Sequence, residues 1–267
     1  MKLPEKMTNP FLAPKETSVP PLKGALNYLL VCLLIIIVFW ISLSRIGVSF
    51  DFSFAVFYHI RIIDGFILTI QLSIGSLIIS LVLGILVAIG QSSRILVIRY
   101  LCDVYVKVIR GTPLIVQIYL FFYIIGTAWG INDRFIAGVL ILSVFEGAYI
   151  AEIIRGSLLS LDETQLDAAR SVGFTRMQTI RHVIIPQMVA RTLPALTGQF
   201  ASVIKDSSLL SIIAVIEMTQ SIREISATTY QFFESYLLLG VLYLCLTLPI
   251  TFVSRLFERR FDYARKA

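Results

Sequence analysis

The residues of this sequence that could do chemistry are a small set of charges lodged in or beside apolar runs. Glu146 lies about 16 Å into the run that begins near Phe135, which puts it near the middle of a hydrocarbon layer. A charge at that depth costs roughly 2.5–3.5 kcal/mol on insertion scales unless it is paired or wetted. An ionised Glu146 in a water-filled cavity would accept the guanidinium or ammonium of a cationic solute through charge-assisted hydrogen bonds. A protonated Glu146 bonded within a helix bundle, or one paired with Lys205 across helices, would be structural instead. Gln117 and Tyr149 are weaker candidates for the same site. Glu152 and Arg155 stand three apart, so they share a helix face and are expected to pair. Lys205 and Asp206 are adjacent, point about 100° apart on a helix, and must find partners on other segments. Metal chemistry is not indicated. His59 and His182 are the two histidines, and Cys32, Cys102 and Cys245 have no paired spacing for zinc or for a disulfide framework.

The elements that must position these charges are membrane spans. A chain of 267 residues that is 57% hydrophobic and 15% charged, with mean hydropathy +0.85, cannot hide its apolar residues in one soluble core. A net charge of +6 and a pI near 9.3 could suggest nucleic acid, but the basic residues are dispersed between apolar runs, which excludes that reading. Runs of about 20 apolar residues, enough to cross the hydrocarbon layer, recur six times. They are Ala25 to Ser44, Gly65 to Ser93, Gly111 to Asn132, about Phe135 to Arg155, Gln187 onward, and Ser235 to Ser254. Period-2 alternation is missing, which argues against a β-barrel. Before span one, residues 1–24 are proline-rich and read as a disordered tail. After Lys205-Asp206, a short helix over Ser207 to Ile216 should precede a loop from Glu217 to Glu234, whose Arg223, Glu224 and Glu234 are candidates to meet a partner. In span two, Thr69, Gln71 and Ser73 either line a pathway or bond between helices.

Lysine and arginine gather before span one, between spans two and three, between four and five, and after six. By the positive-inside rule those segments are cytoplasmic, and so are both termini. The long polar interval, Ser160 to Pro186, is therefore inside. Asp162 with Gln165, or Ser160 with Glu163, offers a capping box for a short helix, and Gly173 offers its left-handed stop.

That interval carries Asp167-Ala168-Ala169, three residues, Gly173, nine residues, then Val183-Ile184-Ile185-Pro186, and it resembles the EAA loop of ATP-binding-cassette importer permeases. Aspartate stands where glutamate is usual, and the Pro-x-Gly-Gln entry appears as Asp162-Glu163-Thr164-Gln165. Three further runs are similar to motifs of the polar amino acid branch of that family. They are Arg110-Gly111-Thr112-Pro113-Leu114, Ala148-Tyr149-Ile150-Ala151-Glu152 through Arg155-Gly156, and Lys205-Asp206-Ser207-Ser208-Leu209.

The resemblance implies an all-α integral membrane protein of about six transmembrane helices. A five-helix importer core would occupy residues 64–257, with an extra N-terminal helix at 25–46 and a cytoplasmic tail at 258–267. Residues of about 160–173 would form the coupling helix, where Asp167, Ala168, Ala169 and Gly173 meet a separate ATPase. Arg110, Pro113, Glu152, Arg155, Lys205 and Asp206 would serve gating or structure. It also implies ATPase subunits, a second permease chain, identical or homologous, and an extracytoplasmic amino-acid-binding protein as partners, in the lipid of a bacterial inner membrane. No Gly-x-x-x-x-Gly-Lys-Ser/Thr loop occurs, so the chain is expected to be no enzyme and to bind no cofactor. ATP and magnesium would sit on the partner. Family members more often carry a small or uncharged residue at the place of Glu146, which makes a cationic amino acid such as arginine or lysine the favoured cargo. An ion-gradient-driven secondary transporter and a membrane scaffold are the alternatives; the first favours internal repeats, which are not apparent, and the second has no need of a coupling loop.

Overall fold

Thirty-three consecutive helical residues, His59–Gln91, form the axis on which the main unit is built. The computed structural model describes residues 21–46 and 50–266. In chain order the helices are α1 (Pro21–Ile46), α2 (Ser53–Phe57), α3 (His59–Gln91), α4 (Leu96–Gly111) and α5 (Leu114–Tyr119), the last continued by a π-helical segment, Leu120–Gly126. Then come α6 (Arg134–Leu159), α7 (Glu163–Ser171) and α8 (Arg176–Thr179), a second π segment at Ile180–Ile184, and α9 (Ile185–Asp206). A 3-10 turn at Ser207–Ile213, α10 (Met218–Thr229) and α11 (Phe232–Lys266) complete the chain. Among the described residues, four helices are long and apolar enough to cross a membrane, or six if each of two bent pairs counts as one span.

The chain divides at residue 51. The first unit is α1, whose apolar side chains are exposed along its length. The expected tail falls outside the described residues as far as residue 20, and residues 21–24 belong to α1.

In the second unit, α3 and α6 make the most extensive helix pair. Small residues along one stripe of α3, including Ser76, Ser80 and Gly84, let the backbones close up, as lipid-embedded helices require. A Cβ added at Gly84 would lie 2.5 Å from Ile150 Cγ2 and 3.1 Å from the Gly147 carbonyl. Hydroxyls tie the seam, with Ser143 Oγ donating to the carbonyls of Val139 at 2.6 Å and Ser76 at 3.3 Å. Thr69 and Ser73 are buried and bonded to α3 carbonyls, whereas Gln71 is exposed.

Two expectations need correction. The third span is shorter than Gly111 to Asn132, its helix starting at Leu114 and ending before Ile131. Thr112 and Pro113 are extended, because the proline ring disfavours helix in the residue before it, and α4 turns into α5 through 112°. The segment between Glu217 and Glu234 is not a loop. It is α10, with Met218, Ile222 and Ile225 fully buried against Phe54, Ile62 and Leu239. Glu217 caps it, accepting from the amides of Thr219 at 2.8 Å and Gln220 at 2.9 Å, while Tyr243 donates at 3.2 Å. Of the charges assigned to a partner surface, Glu234 is buried and Glu224 is paired with Arg61; Arg223 is exposed.

Candidate functional site

Glu146 is fully buried, because α6 presents it to α9 from the middle of its most enclosed stretch. Its Oε2 accepts a hydrogen bond from Gln199 Nε2. Oε1 receives no hydrogen bond among the described residues, and the charge that approaches the carboxyl group is another acid, Asp206. Lys205 is exposed, and none of the ion pairs among the described residues includes it. Asp206 is half-buried at the end of α9. Two carboxyl groups thus approach one another between α6 and α9, with the Gln199 amide on Glu146 and the charge of the neighbouring Lys205 acting on Asp206.

Gln117 and Tyr149 are engaged elsewhere. Gln117 Nε2 donates to the Ile109 carbonyl at 2.7 Å, to the Thr112 carbonyl at 3.2 Å and to Thr112 Oγ1 at 2.7 Å, which holds the α4–α5 corner around Pro113. The Tyr149 ring packs tilted at 48° against Phe145, centroids 5.0 Å apart, and the Arg110 guanidinium carbon lies 5.4 Å from its ring centroid, within cation–π range. Glu152 accepts from Arg155 on its own helix and lies 3.6 Å from Arg110 on α4. Arg110, Tyr149, Glu152 and Arg155 therefore form one cluster where α4 crosses the end of α6.

Beyond α6 the polar interval makes two short helices. Asp162 caps α7, its carboxylate accepting from the Thr164 amide at 3.0 Å. That backbone hydrogen bond is the main reason its carboxyl is held below the usual range, with the Thr164 side chain adding to it. A capping box is absent from α7 and present on α8, where Thr175 Oγ1 accepts from the Gln178 amide and Gln178 Oε1 accepts from the Thr175 amide. Gly173 ends α7 with φ of +81°, the left-handed region glycine enters at no steric cost. Its amide donates to the Arg170 carbonyl and the Phe174 amide to that of Ala169, both at 3.0 Å. Asp167 pairs with Arg170 at 2.9 Å in the open, Ala168 is exposed, and Ala169 is buried. Gln187 donates to Gln165 on α7, and Arg191 donates to Ser160 at the end of α6, so α9 straps both α7 and the end of α6. Leu159, Val172 and Met177, each about 70% exposed, stud this end of the unit.

Sequence reasoning missed Gln199 as the partner of Glu146. Glutamine on an amphipathic helix carries no signal of its own, and the two are far apart in the chain.

Every element among the described residues is helical, and several membrane-capable spans, two acids brought together within the bundle and a capped polar helix at its end make a multi-pass membrane permease in class. The chain belongs to the family of binding-protein-dependent transport system inner membrane components, whose model matches residues 80–263. It is 35% identical over 201 residues to the glutamine transport system permease protein of Escherichia coli (strain K12), covering 74% of this chain and 92% of that one. Identity is 36% over 199 residues with the L-cystine transport system permease protein of Bacillus subtilis (strain 168), covering 74% and 85%. Among solved structures, a crystal structure of an amino acid ABC transporter with histidines matches with TM-score 0.74 and 37% identity, over 80% of this chain and all of the other. The methionine transporter MetNI, in an inward-facing form, shares the fold with TM-score 0.60 at 18% identity.

Proposed function

We propose that this chain is the permease subunit of an ATP-driven amino acid importer, that α7 is its coupling helix, and that its cargo is a cationic amino acid. The permease relatives named for glutamine and cystine, and the structural neighbour named for an amino acid ABC transporter, support the substrate class. The observation that carries the cationic reading is the meeting of Glu146 with Asp206, buried and half-buried, with no ion pair to a basic side chain among the described residues. One carboxylate suffices to meet the α-ammonium common to all amino acids. A second serves a substrate with a second positive charge, through charge-assisted hydrogen bonds. In this reading Gln117 shapes the corner that flanks the pathway, and Tyr149 holds Arg110 beside Glu152 and Arg155. Pro113 sets the bend, and Lys205 marks the end of α9.

The partners follow from the same reading. Two permease chains would form the pathway, and two ATPase subunits would receive the end that bears α7, Leu159, Val172 and Met177. An extracytoplasmic binding protein would deliver the amino acid, with both termini of the permease in the cytoplasm. Asp167, Ala168 and Ala169 then lie on the helix that transmits force, with Gly173 fixing its end.

The test compares Glu146→Gln with the parent in proteoliposomes, at equal assembly and with equal binding-protein affinity. Uptake of arginine and lysine should fall at least tenfold while uptake of any neutral amino acid the parent carries changes little. An equal loss for all substrates would assign Glu146 to packing and end the cationic reading.

A further inference from the structure

Helix α4 has three faces. Val106 and Ile109 are buried against the bundle, and Val97, Leu101, Val104 and Val108 are exposed along a second line. The third line is charged, with Arg99, Asp103, Lys107 and Arg110 recurring at three- and four-residue spacing. Arg99, Lys107 and Arg110 on that face are exposed, and the face is concave rather than flat. It walls a cavity of about 650 Å³ whose other side is the end of α3 and the last turns of α6, including Glu152 and Arg155.

The cavity holds four cations and two acids, and both acids are already engaged. Glu152 serves Arg155 and Arg110 together, and Asp103 accepts from Gln91 Nε2 at 3.1 Å. Arg99 and Lys107 have no acidic partner within ion-pair distance among the described residues. On the helical wheel Lys107 sits at the border with Val104 and Val108, so an ammonium reaching into the cavity adjoins an exposed apolar ridge. A basic, amphipathic helix followed at once by a sharp turn into a span has the pattern of a helix lying in the membrane interface.

We infer that this cavity is a binding site for an anionic phospholipid of the leaflet at the α7 end, with its phosphate between Arg99 and Lys107 and an acyl chain along Val97, Leu101, Val104 and Val108. The excess positive charge selects the phosphate ester, and the adjoining ridge selects a lipid over a soluble phosphate. The proposal is independent of which amino acid is carried.

The experiment uses the assembled transporter, extracted with equimolar phosphatidylglycerol and phosphatidylcholine, and counts retained lipid by native mass spectrometry. Each basic residue near a membrane surface attracts anionic lipid by about 1 kcal/mol, or about fivefold. The parent should retain phosphatidylglycerol preferentially. Arg99→Gln and Lys107→Gln should each lower that preference about fivefold, and Lys107→Arg should keep it. Arg94→Gln, a change of equal charge at an exposed position outside the cavity, should leave it intact. A parent without preference would overturn the inference, as would an equal loss in Arg94→Gln, which would mean diffuse surface charge. Displacement of the preference by millimolar glycerol phosphate would overturn the lipid in favour of a soluble anion. A preference seen in the isolated permease and lost in the complex would overturn it in favour of an acidic group from a partner subunit.

Discussion

Replacing Gly173 should damage the end of α7 through the backbone alone. A Cβ built at this position meets nothing within 4 Å, so the first side-chain atom is not crowded. The penalty comes from φ of +81°, where an L-residue with a Cβ costs about 1–2 kcal/mol. Leaving that conformation breaks the two terminating hydrogen bonds, to the Arg170 and Ala169 carbonyls, each worth about 0.5–1.5 kcal/mol. Either way about 1–2 kcal/mol is lost from a nine-residue helix, which corresponds to a population change of about 5- to 30-fold. The expected order of damage is Asn least, Ala next and Val most, because asparagine tolerates the left-handed region and a β-branched residue does not. Hydrogen exchange of the amides of Val172, Gly173 and Phe174 in the assembled transporter reads the fraying directly. Substrate-stimulated ATP hydrolysis should fall in the same order. Parental exchange and stimulation in Gly173→Val would refute the argument, and so would an order that follows side-chain volume with Ala milder than Asn.

Gly84→Ala should weaken the α3–α6 seam by about 1–3 kcal/mol through overpacking against Ile150, whereas Gly75→Ala, whose Cβ would stand 3.6 Å from Val139, should be tolerated; thermal unfolding in detergent distinguishes them. Glu152→Gln removes the acid shared by Arg110 and Arg155, with a stability cost of at most about 1 kcal/mol because the pair is partly exposed. The same variant should increase phosphatidylglycerol retention, read by the same mass-spectrometric count. Asp162 has its carboxyl lowered on folding, so its cap contributes fully above the ordinary carboxylate range and is lost as pH falls through the lowered folded value. Exchange at the Thr164 amide should accordingly show extra opening in acid that is absent in Asp162→Asn.

Much of this architecture was written in the sequence in the form of charge-free runs, and the left-handed end at Gly173 was readable because few other residues enter that region cheaply. Two helices were readable and were obscured. In α10 the apolar residues Met218, Ile222 and Ile225 fall at helical spacing, but Arg223, Glu224 and polar neighbours give the segment the look of a solvated loop. In α4 the four-residue recurrence of charges at 99, 103 and 107 alternates with that of apolar residues at 97, 101, 104 and 108, but the segment falls between the second and third apolar runs, where its basic residues read as a cytoplasmic connection. The π-helical segments have no comparable signature. The site around Glu146 was half legible. The place of Glu146 midway along α6 followed from counting residues along a span, but the approach of Asp206 and the amide of Gln199 depends on how α9 packs on α6, which local pattern does not encode.

The account stands or falls on what drives transport. The transporter reconstituted with its ATPase and binding protein in proteoliposomes, supplied with labelled arginine or lysine, gives the direct answer. Uptake should require hydrolysable ATP on the ATPase side and should persist when ionophores collapse proton and sodium gradients. Uptake that continues with a non-hydrolysable analogue and disappears with the ion gradient would contradict it.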